Sequence, residues 1–181
     1  MFLPPFLPFP SAPPPRPPHP RPPDSRPQIA YALHIVLRWE IERALVDGSL
    51  AAADVPATWA ARSLEYFGAA PPDDNSGALQ DVQWAQGSIG AFPSYALGAM
   101  AAAQLLDAAR AALPGLDAQL AAGEFLPLRD WLRANVWALG REPGSFDDVL
   151  RVATGGPLDP QVYLRYLQDK YSAVYLLPKT P

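Results

Sequence analysis

The histidine and cysteine side chains that most often bind zinc are few in this sequence. The chain has no cysteine and only two histidines, His19 and His34. A His-Glu-x-x-His pattern is a common zinc site, because it places two imidazoles on one helix face with a carboxylate base between them. His19 and His34 are fifteen positions apart, and neither is followed by that spacing. We therefore expect no metal ligands and no bound cofactor in this chain.

Other charged residues have simpler explanations. The acidic turn at residues 73–75 lacks the EF-hand spacing that a calcium site requires. His34 lies within an apolar helical pattern, which favours a packed histidine. Arg38 and Glu42 have the spacing of an i, i+4 ion pair, an interaction of a few tenths of a kcal/mol when exposed. We expect structural roles for all of these residues.

Composition excludes several classes of function. The 181 residues are enough for one domain, and the net charge of −4 with scattered Lys and Arg argues against nucleic acid binding. No apolar run reaches the length of about 18 residues that suggests a membrane span. The absence of cysteine is consistent with a reducing compartment, and we expect a cytoplasmic protein.

The first 27 residues differ from the rest of the chain. They contain thirteen of the 24 prolines, and the run PPPRPPHPRPP allows neither helix nor sheet. We predict a disordered proline-rich arm over residues 1–27. Its PxxP spacings are compatible with binding to an aromatic-lined groove. A wrong reading frame in GC-rich DNA also yields Pro, Arg and Ala, and we favour that origin.

From residue 28 to residue 181 the pattern is helical. Apolar residues recur at helical spacing, and Gly or Pro follows most of the repeats. Asp54, Ser145 and Asp159 are expected N-caps, and the helix after Phe92 is expected to be central and buried. The predicted helices cover residues 28–47, 54–67, 94–113, 116–122, 127–139, 146–154 and 160–177, with a long loop at 69–91. The predicted class is all-α.

Three blocks of this helical region resemble a known family. They are LHIVLRWEIERALVDG (33–48), GALQDVQWAQGSIGAFPSYALG (77–98) and GGPLDPQVYLRYLQDKYSAVYLL (155–177). The middle block resembles the signature Gly-x-x-Gln-Asp-x-His-Trp, followed by Phe-Pro-Thr-Tyr, of the thermostable Taq-type zinc carboxypeptidases. The chain is similar to the C-terminal part of that family's catalytic domain.

The resemblance implies an all-helical peptidase that removes C-terminal residues from peptides in a deep groove. In the complete family enzyme, zinc or cobalt on a His-Glu-x-x-His helix, completed by a further glutamate, activates water. This sequence has no such motif. The family also commonly forms dimers, so a homodimer is a possible assembly.

The resemblance also implies roles for individual residues. Tyr95 matches the tyrosine of the Phe-Pro-Thr-Tyr turn and is the expected catalytic residue, because a phenol there could hydrogen-bond a developing oxyanion or the substrate carboxylate. Gln83 stands where the signature has histidine, and glutamine cannot take up a proton. Substrate binding is expected at Tyr31, Gln80, Asp81, Gln83 and Trp84. Packing and support of the loop are the alternative roles for these residues.

Three interpretations of function remain open. The chain is an inactive part of a peptidase, a helical interaction module, or half of an enzyme completed by another chain that also supplies the metal site. A truncated or frameshifted gene would explain why the resemblance ends at the proline-rich arm. A partial domain should expose apolar helix faces, whereas an independent module should have polar ones.

Overall fold

The structure is a computed structural model that describes residues 29–176, and it is helical throughout, with no strand in that range. The predicted all-α class is confirmed, while the proline-rich arm lies outside the described residues. The helices are α1 (Tyr31–Asp47), α2 (Val55–Phe67), α3 (Val82–Ala85), α4 (Phe92–Ala112), α5 (Leu116–Ala121), α6 (Leu126–Asn135), α7 (Phe146–Thr154) and α8 (Pro160–Tyr175). Short 3-10 turns lie at Ala52–Asp54, Ala78–Gln80 and Trp137–Leu139.

Local signals in the sequence set several helix ends. Gly48 ends α1 with φ 79°, a left-handed conformation that costs glycine little. At the start of α7, the Ser145 hydroxyl accepts a hydrogen bond from the Asp148 backbone N–H (3.2 Å) and donates one to the Asp148 carboxylate (2.6 Å). Asp159 accepts from the Gln161 N–H at 2.9 Å and caps α8. Both N-caps lie where they were predicted.

Three details of the prediction were wrong. Asp54 precedes α2, but its side chain makes no capping hydrogen bond. Residues 69–91 are not loop throughout, because they contain the 3-10 turn Ala78–Gln80 and the one-turn helix α3. The helix expected to reach residue 139 ends at Asn135, because Val136 leaves helical geometry with φ −124° and ψ −61°. Elements of a single turn have too few residues to show a helical period.

The best-packed core lies between α1 and its neighbours. Leu37 and Ile41 of α1 are 0% and 1% exposed, and they form one cluster with Trp59 of α2 and Ala78. Residues four positions apart share a helix face, so this face of α1 is the one turned inward. The cluster places α1 and α2 directly beneath the segment that follows Gly77.

The long helix α4 is central, as predicted, and packs against α1, α7 and α8. Its buried residues include Ala101, Ala103 and Ala109, whose small side chains allow neighbouring helices to approach closely. The prediction that most faces are buried was wrong for the described residues, since Leu97 is 46% exposed. Buried and exposed positions are therefore interspersed around α4, because Ala101 and Ala103 lie on opposite faces of the helix and are both buried.

A buried amide ties α4 to the turn between α7 and α8. The Gln104 side chain donates to the Thr154 hydroxyl at 3.0 Å and to the Pro157 carbonyl at 2.9 Å. Its oxygen accepts from the Asp159 backbone N–H at 2.9 Å. The amide thus has partners for both its donor and acceptor atoms, as burial requires.

The tyrosines of α8 are packed only in part. Tyr163 is buried, and its ring stacks with that of Tyr166 at 6.4 Å between centroids. Burial raises the pKa of Tyr163, with smaller contributions from nearby phenols that include Tyr31. Tyr175 at the end of the helix is 53% exposed. The first turns of α8 therefore anchor the helix, and its last turn does not.

Many apolar side chains of the described residues lie at the surface. Twenty large hydrophobic residues are exposed, against twelve hydrophobic residues in the core. Leu33, Val36 and Trp39 form one such strip along the outer side of α1, each 36–40% exposed. None of the helices within residues 29–176 has the length and apolarity needed to cross a membrane. These exposed apolar helix faces match the expectation for a partial domain.

Replacing Leu37 with alanine tests the assigned core. We expect the free energy of unfolding to fall by about 2–5 kcal/mol, because the substitution leaves a cavity among side chains that cannot fully relax. Chemical denaturation followed by circular dichroism measures this change. Leu126→Ala, at a position that is 59% exposed, is the matched control and should change stability by about 0.5 kcal/mol or less. Equal losses in the two variants would contradict the assignment.

Candidate substrate-binding site

Most of the residues singled out in the sequence lie on residues 77–84, which we call the motif segment. The segment begins at Gly77, continues through a 3-10 turn and ends in α3. Gly77 is so closely packed that a Cβ atom there would lie 3.0 Å from the Pro71 side chain and 3.3 Å from that of Trp59. A larger residue at position 77 would therefore force the segment away from α2.

An ion pair anchors the motif segment to α1. The Arg38 guanidinium donates from Nε to Asp81 Oδ2 at 2.7 Å, and the two side chains are only 15% and 13% exposed. Arg38 was expected to pair with Glu42, four residues away, and this expectation was wrong. The pair that forms spans 43 positions of sequence. Its partly buried geometry makes it stronger than an exposed helix pair.

The Arg38 side chain is held on several sides. Its Nη1 donates to the His34 carbonyl at 2.8 Å, and its guanidinium carbon lies 4.9 Å from the centre of the Trp59 ring and 5.9 Å from that of Phe92. Aromatic faces attract a cation, more strongly where water is excluded. Arg38 therefore reaches Asp81 in a fixed orientation.

Trp84 packs inward at the end of the motif segment. Its ring meets those of Trp59 and Phe92 edge-on, at centroid distances of 6.2 and 5.9 Å. Its indole N–H donates to Glu42 Oε1 at 3.3 Å, and Glu42 itself is only 4% exposed. Trp84 therefore joins α3 to α1, α2 and the start of α4. Its position matches the alternative reading of this residue as support for the loop, and direct contact with substrate stays a prediction.

Three of the predicted site residues remain available to a ligand. Gln80 is exposed, Gln83 is half-buried, and Tyr95, in the first turn of α4, is 47% exposed. Across residues 29–176 their side-chain polar atoms form no hydrogen bond with the protein. The Trp84–Phe92 ring contact brings the end of α3 against the beginning of α4. Gln83 and Tyr95 therefore lie on two elements that pack together.

Tyr31 lies in the first turn of α1, seven residues before Arg38. Two helical turns separate these residues along one face of the helix, a rise of about 10 Å. The Tyr31 phenol is close enough to α8 to affect the pKa of Tyr163, which burial raises in the first place. No described contact joins Tyr31 to the motif segment, and its role in substrate binding stays a prediction.

The described residues do not fit a zinc or cobalt ion. Within them no group of three or more His, Asp or Glu side chains is placed to hold a metal. The His34 ring stacks on Phe67 at 4.1 Å, and its Nδ1 lies 3.4 Å from Arg38 Nη1. The interpretation of His34 as a packed histidine is confirmed.

Sequence reasoning missed Glu42 and Phe92 as supports of the site. Glu42 follows the buried Ile41 and shares a helix face with Arg38, so a charged residue on an inward face was the available signal. Phe92 was seen only as part of the turn before α4. Its contacts with Trp84 and Arg38 depend on folding and could not be read from local spacing.

The fold and sequence resemble those of known carboxypeptidases. Carboxypeptidase 1 of Bacillus subtilis is 42% identical over 150 residues, which are 83% of this chain and 30% of that protein. Thermostable carboxypeptidase 1 of Thermus thermophilus is 42% identical over 148 residues, 82% of this chain and 29% of that protein. The M32 carboxypeptidase structure from Deinococcus radiodurans R1 superposes with a TM-score of 0.77 at 40% identity, covering 82% of this chain and 30% of that one.

The proteins that this chain resembles form one class, the helical metallopeptidases. The family model described as carboxypeptidase Taq (M32) metallopeptidase matches residues 27–171. The chain belongs to this family. It spans about 30% of the length of the Bacillus subtilis and Thermus thermophilus relatives.

A double-mutant cycle on Arg38 and Asp81 tests the anchor. We expect Arg38→Met and Asp81→Asn to destabilise the fold by much less together than the sum of their separate effects. The coupling should be about 1.5–3 kcal/mol, the range for hydrogen bonds to charged groups, measured by urea denaturation.

The exposed pair Arg151–Asp147 on α7, with side chains 52% and 48% exposed, is the matched control. Its coupling should stay below about 1 kcal/mol. Similar coupling in the two pairs would show that the Arg38–Asp81 pair is no stronger than a surface pair.

Proposed function

We propose that this chain forms the part of a metallocarboxypeptidase domain that binds the C-terminal end of a peptide substrate. The main support for the proposal is that the side chains of the motif segment have two different environments. Asp81 and Trp84 bond inward to α1, whereas the amides of Gln80 and Gln83 make no hydrogen bond with other described residues. A rigid backbone that leaves polar groups available is suited to orienting a ligand.

In this proposal Tyr95 and Gln83 contact the substrate. The Tyr95 hydroxyl donates a hydrogen bond to the terminal carboxylate, or to the carbonyl oxygen as negative charge develops there. Gln83 donates and accepts hydrogen bonds through its amide but carries no charge at any pH. Asp81 and Trp84 act by positioning the motif segment.

We propose that the metal ligands are not among the residues of this sequence. The described residues fit no zinc or cobalt ion, and the full sequence contains only two histidines. We therefore expect the isolated chain to release no amino acids from peptides. The exposed apolar strip of Leu33, Val36 and Trp39 supports this view, because a partial domain leaves such faces uncovered.

A chimera tests the proposal. Residues 28–176 of this chain replace the matching segment of Bacillus subtilis carboxypeptidase 1, which retains the rest of its own sequence. We expect this chimera to release C-terminal amino acids from an N-blocked peptide. Tyr95→Phe in the chimera should lower kcat/KM by a factor on the order of 10², because one hydrogen-bond donor to the reacting peptide is lost.

Tyr175→Phe, at an exposed tyrosine on α8, is the matched control and should leave the chimera's activity unchanged. Unchanged kcat/KM in a folded Tyr95→Phe chimera would contradict the role of Tyr95. The isolated chain is assayed alongside, with zinc or cobalt added and with a chelator. If that chain released amino acids in a metal-dependent and chelator-sensitive way, the proposal that the metal ligands lie outside this sequence would be refuted.

A further inference from the structure

A groove lies behind the motif segment, between the second half of α1 and the start of α2. Its volume is about 300 Å³, and its lining is almost wholly apolar. The main side chains of the lining are Leu45, Val46, Val55, Leu79, Trp84 and Ile89. This volume is at the small end of the range for ligand pockets and suits one long side chain better than a larger molecule.

The groove contains one charged residue, Glu42, which is 4% exposed. Its Oε1 accepts the Trp84 indole hydrogen bond at 3.3 Å. In the part of the chain that the structure describes, Oε2 takes part in no hydrogen bond or ion pair. No lysine or arginine is among the residues that line the groove. Among the described residues, only Gln119 Oε1 is a fully buried side-chain polar atom without a hydrogen bond, so Glu42 Oε2 is reached from the groove and is available to a cation.

The charge and shape of the groove suit a lysine side chain better than an arginine side chain. A lysine side chain combines an apolar stem with a compact ammonium head, and it buries the stem along apolar surface. Arginine prefers two carboxylate oxygens at once, whereas Glu42 already uses one oxygen for Trp84. An ammonium group needs only the remaining oxygen.

We propose that this groove binds a lysine side chain of a partner protein, with the ammonium group on Glu42 Oε2 and the stem against Leu45 and Trp84. The rim residues Val46, Leu79 and Ile89 are 71%, 69% and 58% exposed, and they contact apolar neighbours of that lysine. Trp84, which positions the motif segment, lines the groove, whereas Gln80, Gln83 and Tyr95 do not, so the proposal can be tested without peptidase activity.

Two matched peptides test the proposal with the full chain. Acetyl-Leu-Lys-Leu-amide carries the ammonium group, and acetyl-Leu-norleucine-Leu-amide has the same stem without it. Binding is followed by the NMR signal of the Trp84 indole N–H, assigned with Trp84→Phe. We expect the lysine peptide to shift this signal and to bind at least about tenfold more tightly than the norleucine peptide, a difference of about 1.4 kcal/mol.

Glu42→Gln should abolish this preference while keeping the fold, because the glutamine oxygen can still accept from Trp84. Glu124→Gln, at an exposed position outside the groove, is the matched control and should retain the preference. Equal affinity of the two peptides for the unmodified chain would overturn the proposal, as would a preference that survives Glu42→Gln. The absence of any indole shift at millimolar lysine peptide would also overturn it.

Discussion

The ion pair between Arg38 and Asp81 is the interaction on which the site depends. It joins residues 43 positions apart, and together with the Trp84–Glu42 hydrogen bond it links the middle of α1 to the motif segment. The Arg38 guanidinium lies against the Trp59 and Phe92 rings and is hydrogen-bonded to the His34 carbonyl. These contacts already fix the Arg38 side chain, so little further side-chain entropy is lost when it pairs with Asp81.

The consequence is a separation of roles within a short stretch of sequence. Asp81 and Trp84 hold the motif segment to the core, and Gly77 lets it approach α2 closely. Gln80 and Gln83 are left without partners among the described residues. The motif segment therefore contains two kinds of residue: those that position its backbone, and those whose polar groups make no hydrogen bond within the described part of the chain.

The helical fold was largely readable from the sequence because its signals are local. Ser145, Asp159 and Gly48 act within a few residues of themselves, so their effects on helix ends could be anticipated. Arg38 was assigned to Glu42 because only near neighbours are visible in a sequence. The true partner, Asp81, is adjacent only after α1 and α3 pack together. The short helix α3 was missed for a related reason, since one turn has no periodicity to detect.

The candidate site was only partly predictable for the same physical reason. The positions of Gln80, Gln83 and Tyr95 followed from the family resemblance, but their freedom from protein hydrogen bonds is a property of the folded chain. The role of the buried Glu42 in holding Trp84 was not predicted, because their hydrogen bond joins residues that are 42 positions apart in the sequence.

Hydrogen exchange of the backbone amides tests most directly whether Arg38 organises the motif segment. In Arg38→Met, the amides of residues 77–90 should exchange faster than in the unmodified chain, while those of α7 and α8 should be unchanged. Arg151→Met, which removes an exposed pair within α7, serves as the reference and should leave residues 77–90 protected. Unchanged protection of residues 77–90 in Arg38→Met would contradict the account, as would a uniform loss of protection along the chain.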